Sequence, residues 1–278
     1  MSAAGRLLVV LLIAAGCGGD DDGSDGDGSG GDAGAVTACP DDLAGPAMVA
    51  VPSPDGPSYC IDATEVTSAQ YQAFLDAQAD VEQPERCGEN ESFEPDSEVQ
   101  CEGAYDPAAR PDFPASCMDW CDAWSYCAWA GKHLCGRIGG GPLGDEIDLD
   151  DASINEWFNA CSSMGENEYA YGDSYEVGTC NAGPDTFDYC DPPAEVGSFD
   201  DCRGTTPPFD QLFDMSGNVS EWIDACDDGA GVAPYCWETG GGSDSRSLSD
   251  CRTDAYVAWN ATWWSKGFRC CWSPDDGG

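Results

Sequence analysis

The first run of helical periodicity along the chain follows Thr67-Ser68-Ala69-Gln70. In this order the Thr67 hydroxyl and the Gln70 side chain satisfy backbone N–H groups of the first turn, which is the pattern of a capping box. Tyr71, Phe74 and Leu75 then recur at helical spacing. The pattern predicts a helix that begins at this box and buries one apolar face.

A second helix is predicted from about Met118 to Ala130, where apolar residues again share one face. Gly131 follows, and glycine suits the left-handed position at which many helices end. The face predicted to be buried consists of Trp120, Ala123, Trp124 and Cys127.

A third helix is predicted to begin near Ser153. Glu156 stands three residues further on, as in a second capping box. The helix carries Trp157 and Cys161 on one side, so this side is expected to be buried.

The rest of the chain is irregular, with ten Trp and ten Tyr scattered among Gly, Pro and Asp. Residues 37–278 show no internal repeat and are numerous enough to bury a substantial core. They are predicted to form one loop-rich α+β domain. Within it, Glu82–Asp106 is acidic and holds Cys87 and Cys101, which indicates a surface excursion tied by disulfides.

The N-terminus has the pattern of an export signal. Arg6 precedes the short apolar run Leu7–Ala15, which is too short to span a bilayer as a helix. Small residues directly before Cys17 resemble the bacterial lipobox, in which the cysteine becomes the acylated N-terminus; a simple secretory signal is the alternative. We expect a signal peptide over 1–16, then a lipid-anchored, disordered linker rich in Gly, Asp and Ser over 17–36, and a lipoprotein of the cell envelope.

Export places the 18 cysteines in an oxidising compartment, where cysteines form disulfides. Zinc is the competing use, but the chain has no Cys-x-x-Cys pair and a single histidine, His133. With Cys17 set aside as the lipid anchor, an odd number of cysteines remains, so at least one cannot pair within the chain. The sequence leaves the connectivity open.

Acidic residues outnumber basic ones by 53 to 10, and the net charge is −43. This charge excludes nucleic acid as a partner, because phosphate backbones are bound by Lys and Arg. Two interpretations of the acids remain. They form a solvated surface suited to a salty medium, or some of them bind hard cations such as Ca²⁺.

Six short segments occur in an order that is typical of one protein family. They are ATEVTSAQYQAFLDA (Ala63–Ala77), MDWCDAWSYCAWAGKHL (Met118–Leu134), INEWFNA (Ile154–Ala160), FDMSGNVSEW (Phe213–Trp222), GGGS (Gly240–Ser243) and GFRCC (Gly267–Cys271). Together they resemble the formylglycine-generating enzyme, or sulfatase-modifying factor, family. The resemblance implies an irregular mixed α/β fold related to C-type lectins, with little regular secondary structure.

In that family the loop that corresponds to FDMSGNVSEW binds calcium. The ligand positions carry over to the side chains of Asp214 and Glu221 and to the carbonyls of Gly217 and Val219. Calcium prefers such a mixture of carboxylates and backbone carbonyls, so the resemblance implies a calcium site here. The alternative is a tight turn whose acids are only solvated.

A second calcium site of the family carries over to Asn181, the Ala182 carbonyl, Asp188 and the Cys190 carbonyl. The segment between Asn181 and Asp188 is shorter than in the family. Cys180 and Cys190 flank it, so a disulfide that closes the loop is the alternative.

The catalytic positions of the family depart from its pattern. Formylglycine-generating enzymes use two cysteines to bind Cu(I), a soft ion that prefers thiolates, and oxidise a substrate cysteine. Counted from Ser243, the first cysteine position falls on Arg246 and the second on Cys251. Arg246 stays protonated and cannot be a copper ligand. Cys251 remains as the one catalytic candidate, with a structural disulfide as its alternative, and the sequence argues against copper.

Two classes of function follow. In the first, an exported, calcium-stabilised domain without formylglycine-generating activity acts as a binding or structural module for a protein or glycan ligand at the cell envelope. In the second, Cys251 and a nearby cysteine form the copper or thiol site of an oxidoreductase. The missing first cysteine favours the first class, and the redox state of Cys251 distinguishes the two.

The lipobox predicts that Cys17→Ser releases the protein from membranes, because acyl chains on this residue would supply the membrane affinity. Membrane and soluble fractions are compared for the parent and the variant, with Ser24→Ala in the linker as the control. Recovery of the parent protein in the soluble secreted fraction would instead support a simple secretory signal.

Overall fold

The structure is a computed structural model, and it describes most of the chain beyond the N-terminal segment. The described residues are 38–98, 100–144, 149–183, 192–227 and 234–274. The predicted signal peptide and linker, with Cys17, lie outside them, as do Asp188 and Cys190. Within these ranges no helix has both the length and the apolar character needed to cross a membrane.

The first predicted helix is confirmed as α1, Ser68–Ala77. The Thr67 hydroxyl accepts a hydrogen bond from the backbone N–H of Gln70, and the Gln70 side chain accepts one from the backbone N–H of Thr67. Tyr71 and Phe74 are buried. Local sequence is sufficient to place this helix because all of these contacts lie within one turn.

The second helix, α2, spans Trp120–Trp129, two residues inside the predicted start. Its capping box is formed by Asp119 and Asp122, whose side chains each accept from the other's backbone N–H. An aspartate in the second position of the box is less usual than Glu or Gln. On the predicted face Trp120, Ala123 and Cys127 are buried and Trp124 is half-buried.

The third helix, α3, spans Glu156–Cys161, and the capping box predicted at Ser153 is wrong. The N-cap is Asn155, whose side-chain oxygen accepts from the backbone of the first turn. Ser153 instead donates its hydroxyl to Asp151 at 2.6 Å. Glu156 does not cap the helix because its carboxylate accepts from the backbone of Gly136 and pairs with a histidine.

Eight strands form two four-stranded sheets among the described residues. They are β1 Met48–Val51, β2 Tyr59–Asp62, β3 His133–Leu134, β4 Ser220–Cys226, β5 Tyr235–Thr239, β6 Asp254–Ala258, β7 Lys266–Phe268 and β8 Cys270–Trp272. The orders are β1-β2-β8-β3 and β6-β5-β4-β7, and only β4 and β7 pair in parallel. The chain therefore passes from one sheet to the other at Arg269, between β7 and β8.

The buried apolar residues form two clusters. Cys271 of β8 belongs to one and Phe268 of β7 to the other. One contains β2, α3 and the loop before β4. The other packs α1 on α2, with Tyr71 stacked on Tyr126 at 5.7 Å and Tyr126 edge-on to Phe268 at 5.4 Å between ring centroids. Phe268, in β7, thus joins the helices to the second sheet.

All 16 described cysteines form disulfides. The pairs are Cys39–Cys60, Cys87–Cys121, Cys101–Cys117, Cys127–Cys270, Cys135–Cys271, Cys161–Cys251, Cys180–Cys202 and Cys226–Cys236. Two of these bridges tie the acidic excursion Glu82–Asp106 to the residues around the start of α2, as predicted. The alternative prediction of a bridge from Cys180 to Cys190 is wrong, because Cys180 forms its disulfide with Cys202.

Candidate functional site

Glu221, which was predicted to bind calcium, lies at the start of β4 and is paired with Arg269. The guanidinium donates from Nε to Oε2 at 2.8 Å and from Nη2 to Oε1 at 2.8 Å, and both side chains are buried. The Trp157 indole N–H donates to Oε2 at 2.8 Å. Both carboxylate oxygens are therefore already bound by N–H donors.

Arg269 also binds two backbone carbonyls. Nη1 donates to Asp62 O at 3.0 Å and Nη2 donates to Phe213 O at 2.8 Å. Burial by itself lowers the pKa of this guanidinium, but the charge and hydrogen bonds of Glu221 outweigh it, and the pKa is raised. The residue is a fixed cation in the interior.

Asp214, the other carboxylate predicted to bind calcium, lies near the same guanidinium. Its Oδ2 accepts from the backbone N–H of Gly197 at 2.5 Å. Burial raises the pKa of Asp214 to about 6, while the Gly197 bond and the charge of Arg269 act in the opposite direction. The side chain of Glu65 lies close enough to interact with it directly.

Glu65 is a residue of this site that sequence analysis missed. It is fully buried, and its Oε1 accepts from the Asn218 side-chain amide at 2.9 Å. Its Oε2 is buried without a hydrogen-bond donor among the described residues. Burial, followed by the charge of Asp214, raises the pKa of Glu65. The one sequence signal that could have pointed to Glu65 is its position in ATEVT, just before α1, within a segment that carries the family resemblance.

The loop between Asp214 and β4 contacts the second predicted calcium site. Gly217 has a φ of +100°, and a Cβ there would lie 2.7 Å from the carbonyl oxygen of Asn181. Asn218 donates its backbone N–H to that oxygen at 2.7 Å, and the two asparagine side chains are bonded at 3.1 Å. Val219 is buried beside β7. The structure thus brings residues of both sites together.

Ala182, from the second calcium site, uses its carbonyl within the protein. This oxygen accepts from the backbone N–H of Arg246 at 2.5 Å. The remaining two ligand positions, Asp188 and Cys190, fall outside the described residues.

The position of the family's copper site holds an arginine and a disulfide. Arg246 begins a short 3₁₀ helix, Arg246–Leu248, with a φ of +57°. Cys251 is bonded to Cys161, at the end of α3, and is 2% exposed. A disulfide sulfur is not a thiolate, so the catalytic candidate Cys251 does not fit a copper site in this form of the protein.

A second group of candidate ligands is also closed by a disulfide. Cys135, Cys271 and Glu156 lie with their ligand atoms within 4.8 Å of one another. The two sulfurs are bonded to each other, and Glu156 pairs with His133 Nε2 at 2.9 Å. The cluster therefore lacks the thiolates that zinc would need.

A polar cleft of about 280 Å³ opens beside the GGGS segment and the edges of β4 to β7. Its lining includes Ser220, Glu238, Asp244, Asp254, Trp263 and Lys266. Lys266 Nζ forms an ion pair with Glu238 Oε2 at 2.7 Å and lies 5.0 Å from the centre of the Trp222 ring. Burial raises the pKa of Glu238, and Lys266 opposes this.

Known proteins resemble the chain in sequence and in fold. The formylglycine-generating enzyme of Streptomyces coelicolor is 28% identical over 195 residues, which is 59% of this chain and 56% of that protein. The chain therefore spans little more than half the length of this relative.

Two solved structures share the fold, each at 17% identity and a TM-score of 0.51. PvdO from Pseudomonas aeruginosa aligns with 81% of this chain and 90% of its own, and CarF aligns with 83% and 96%. This likeness confirms the predicted loop-rich α+β fold and carries no argument about activity.

A sequence model of the sulfatase-modifying factor enzyme 1-like domain matches residues 41–274. The match includes all six segments that carry the resemblance and covers most of the chain. The protein therefore belongs to the sulfatase-modifying factor, or formylglycine-generating enzyme-like, family.

Proposed function

We propose that this domain is an exported binding module of its family that does not generate formylglycine. The observation that carries the proposal is the Cys161–Cys251 disulfide. It occupies the one cysteine left at the family's copper positions, while Arg246 stands at the other. Copper therefore does not fit the residues present.

The second candidate function is a copper- or thiol-dependent oxidoreductase that acts on protein cysteine. One observation favours it: Cys161 supplies a second sulfur directly beside Cys251. Reduction of this bridge would produce two neighbouring thiols. Both are almost fully buried, at 1% and 2% exposure, so a substrate thiol could not reach them without a rearrangement.

The purified, oxidised protein is expected to leave a cysteine-containing sulfatase peptide unchanged in the presence of Cu(I) and oxygen, because no thiolate pair is available. Mass spectrometry of the peptide is the measurement, and a formylglycine-generating enzyme treated in parallel is the positive control. Conversion of the cysteine to an aldehyde would overturn the binding-module proposal in favour of the oxidoreductase.

The cleft beside GGGS supports ligand binding, and its charge indicates the class of ligand. Lys266 is the single basic residue among those that line it, against Glu238, Asp244 and Asp254. Lys266 already neutralises Glu238, which leaves two aspartates to face a ligand. Carboxylates of this kind favour a protein ligand that presents Lys or Arg side chains.

A labelled Lys/Arg-containing peptide is expected to bind several-fold more weakly to the Asp244→Asn/Asp254→Asn variant, since each partly solvated ion pair contributes roughly 0.2–1 kcal/mol. Asp41→Asn/Asp42→Asn removes the same charge at two exposed positions and serves as the matched control. Equal losses in both variants, measured by fluorescence anisotropy, would mean that only the net charge attracts the peptide.

Calcium binding at the loop before β4 is part of the proposal. Three buried carboxylates, Glu65, Asp214 and Glu221, surround one guanidinium, so the ionised cluster would carry excess negative charge. Glu65 Oε2, which has no donor among the described residues, indicates a missing positive partner. A divalent cation would balance the charge. Anchoring at the cell envelope through Cys17 completes the proposal and rests on the lipobox alone.

Calcium is expected to raise the melting temperature of the parent protein by several degrees over its value in chelator. Binding to the native state alone contributes about 2.7 kcal/mol at a hundredfold excess over the dissociation constant. Asp214→Asn should lose this response, and the exposed control Asp41→Asn should keep it. Identical parent melting curves with calcium and with chelator would show that the loop is only a turn.

A further inference from the structure

We infer that Glu65, and not Glu221, is the carboxylate that joins Asp214 in holding the cation. The inference rests on the proposed calcium binding and names the residues of this chain that would supply its charge. It departs from the ligand set expected from the sequence, in which Glu221 was the second carboxylate.

Glu221 has no lone pair positioned for a cation in this arrangement. Its two oxygens accept from Arg269 Nε and Nη2 and from the Trp157 indole, at 2.8 to 3.0 Å. A calcium ion bound to the same two oxygens of Glu221 would lie in contact with the Arg269 guanidinium. Two positive charges in contact repel strongly in a buried site. The pair with Arg269 is sufficient for Glu221.

Glu65 has the opposite environment. Its side chain is completely buried, yet Oε2 has no donor among the residues that the structure describes. A buried acceptor left without a partner is costly, and more so when it is charged. The neighbour of this carboxylate is Asp214, a second buried acid. A cation between the two would satisfy both.

Asn218 holds Glu65 in place. Its amide nitrogen donates to Glu65 Oε1 at 2.9 Å, while its amide oxygen accepts from Asn181 and from the backbone N–H of Ala194. One oxygen of Glu65 is thereby fixed, and the other has no donor among the described residues. Asn218 is thus a positioning residue that connects the loop between Asp214 and β4 to the segment before α1.

The competing occupant of this place is a proton shared between the two carboxyl groups. A proton on Glu65 Oε2 would satisfy this oxygen and leave one negative charge on the pair of Glu65 and Asp214. Glu221, which lies near Asp214, carries a further negative charge. Glu65→Gln distinguishes the two occupants. Glutamine reproduces the neutral form and keeps an acceptor for Asn218, but it removes a charged cation ligand.

The test compares melting curves in calcium and in chelator, together with calorimetric titration of calcium, for the parent and three variants. Glu65→Gln is expected to weaken calcium binding at least about tenfold, the equivalent of 1.4 kcal/mol, and to reduce the rise in melting temperature to half or less. Glu65→Asp, which keeps the charge, should restore part of it. Glu221→Gln should melt lower in both conditions and keep the calcium response.

The outcomes separate the two proposals. A parent that binds no calcium overturns the calcium proposal, and a gain in stability of Glu65→Gln in chelator would then assign the place to a proton. A parent that responds, with an equal affinity and an equal rise in melting temperature in Glu65→Gln, overturns the role of Glu65 alone. If Glu221→Gln does not fold, the contrast between Glu65→Gln and Glu65→Asp decides the question.

Discussion

The buried pair of Arg269 and Glu221 is the interaction on which the rest of the structure depends. Arg269 lies where the chain leaves one sheet and enters the other, and its side chain binds Glu221 of β4 and the backbone of Asp62 in β2. It therefore joins the two sheets through their interior. Removal of one partner of such a pair typically costs about 3–5 kcal/mol, because the other charge stays buried and unpaired.

The same pair decides which acids near the loop can have another role. Because Arg269 binds both oxygens of Glu221, Glu65 and Asp214 are the acids of the cluster without a direct hydrogen bond to this guanidinium. In the proposed arrangement the guanidinium and a bound cation would each act on their own carboxylates. The contribution of Arg269 to stability could then be separated from cation binding by mutation, even though the four side chains lie close together.

At the position of the family's copper site, a disulfide decides which chemistry the residues allow. The bridge from α3 to Cys251 lies at the edge of the first apolar cluster and fixes the segment that follows GGGS. In an oxidising compartment this sulfur pair contributes to the fold. The cleft beside GGGS is lined by Trp263 and several acids, and no cysteine is among its described lining residues.

The sequence by itself determined the family, the loop-rich α+β class and the helix α1, since capping boxes and short motifs depend on residues within one turn or loop. At Gly217 the structure leaves no room for a side chain, because a Cβ would lie 2.7 Å from the carbonyl oxygen of Asn181. Only the tertiary structure decided the partners: Glu221 meets Arg269 across 48 residues, and Cys161 meets Cys251 across 90. In a chain with few regular elements, no periodicity predicts which distant segments meet. The partner of each buried charge, and the redox state of each cysteine, is therefore set by packing.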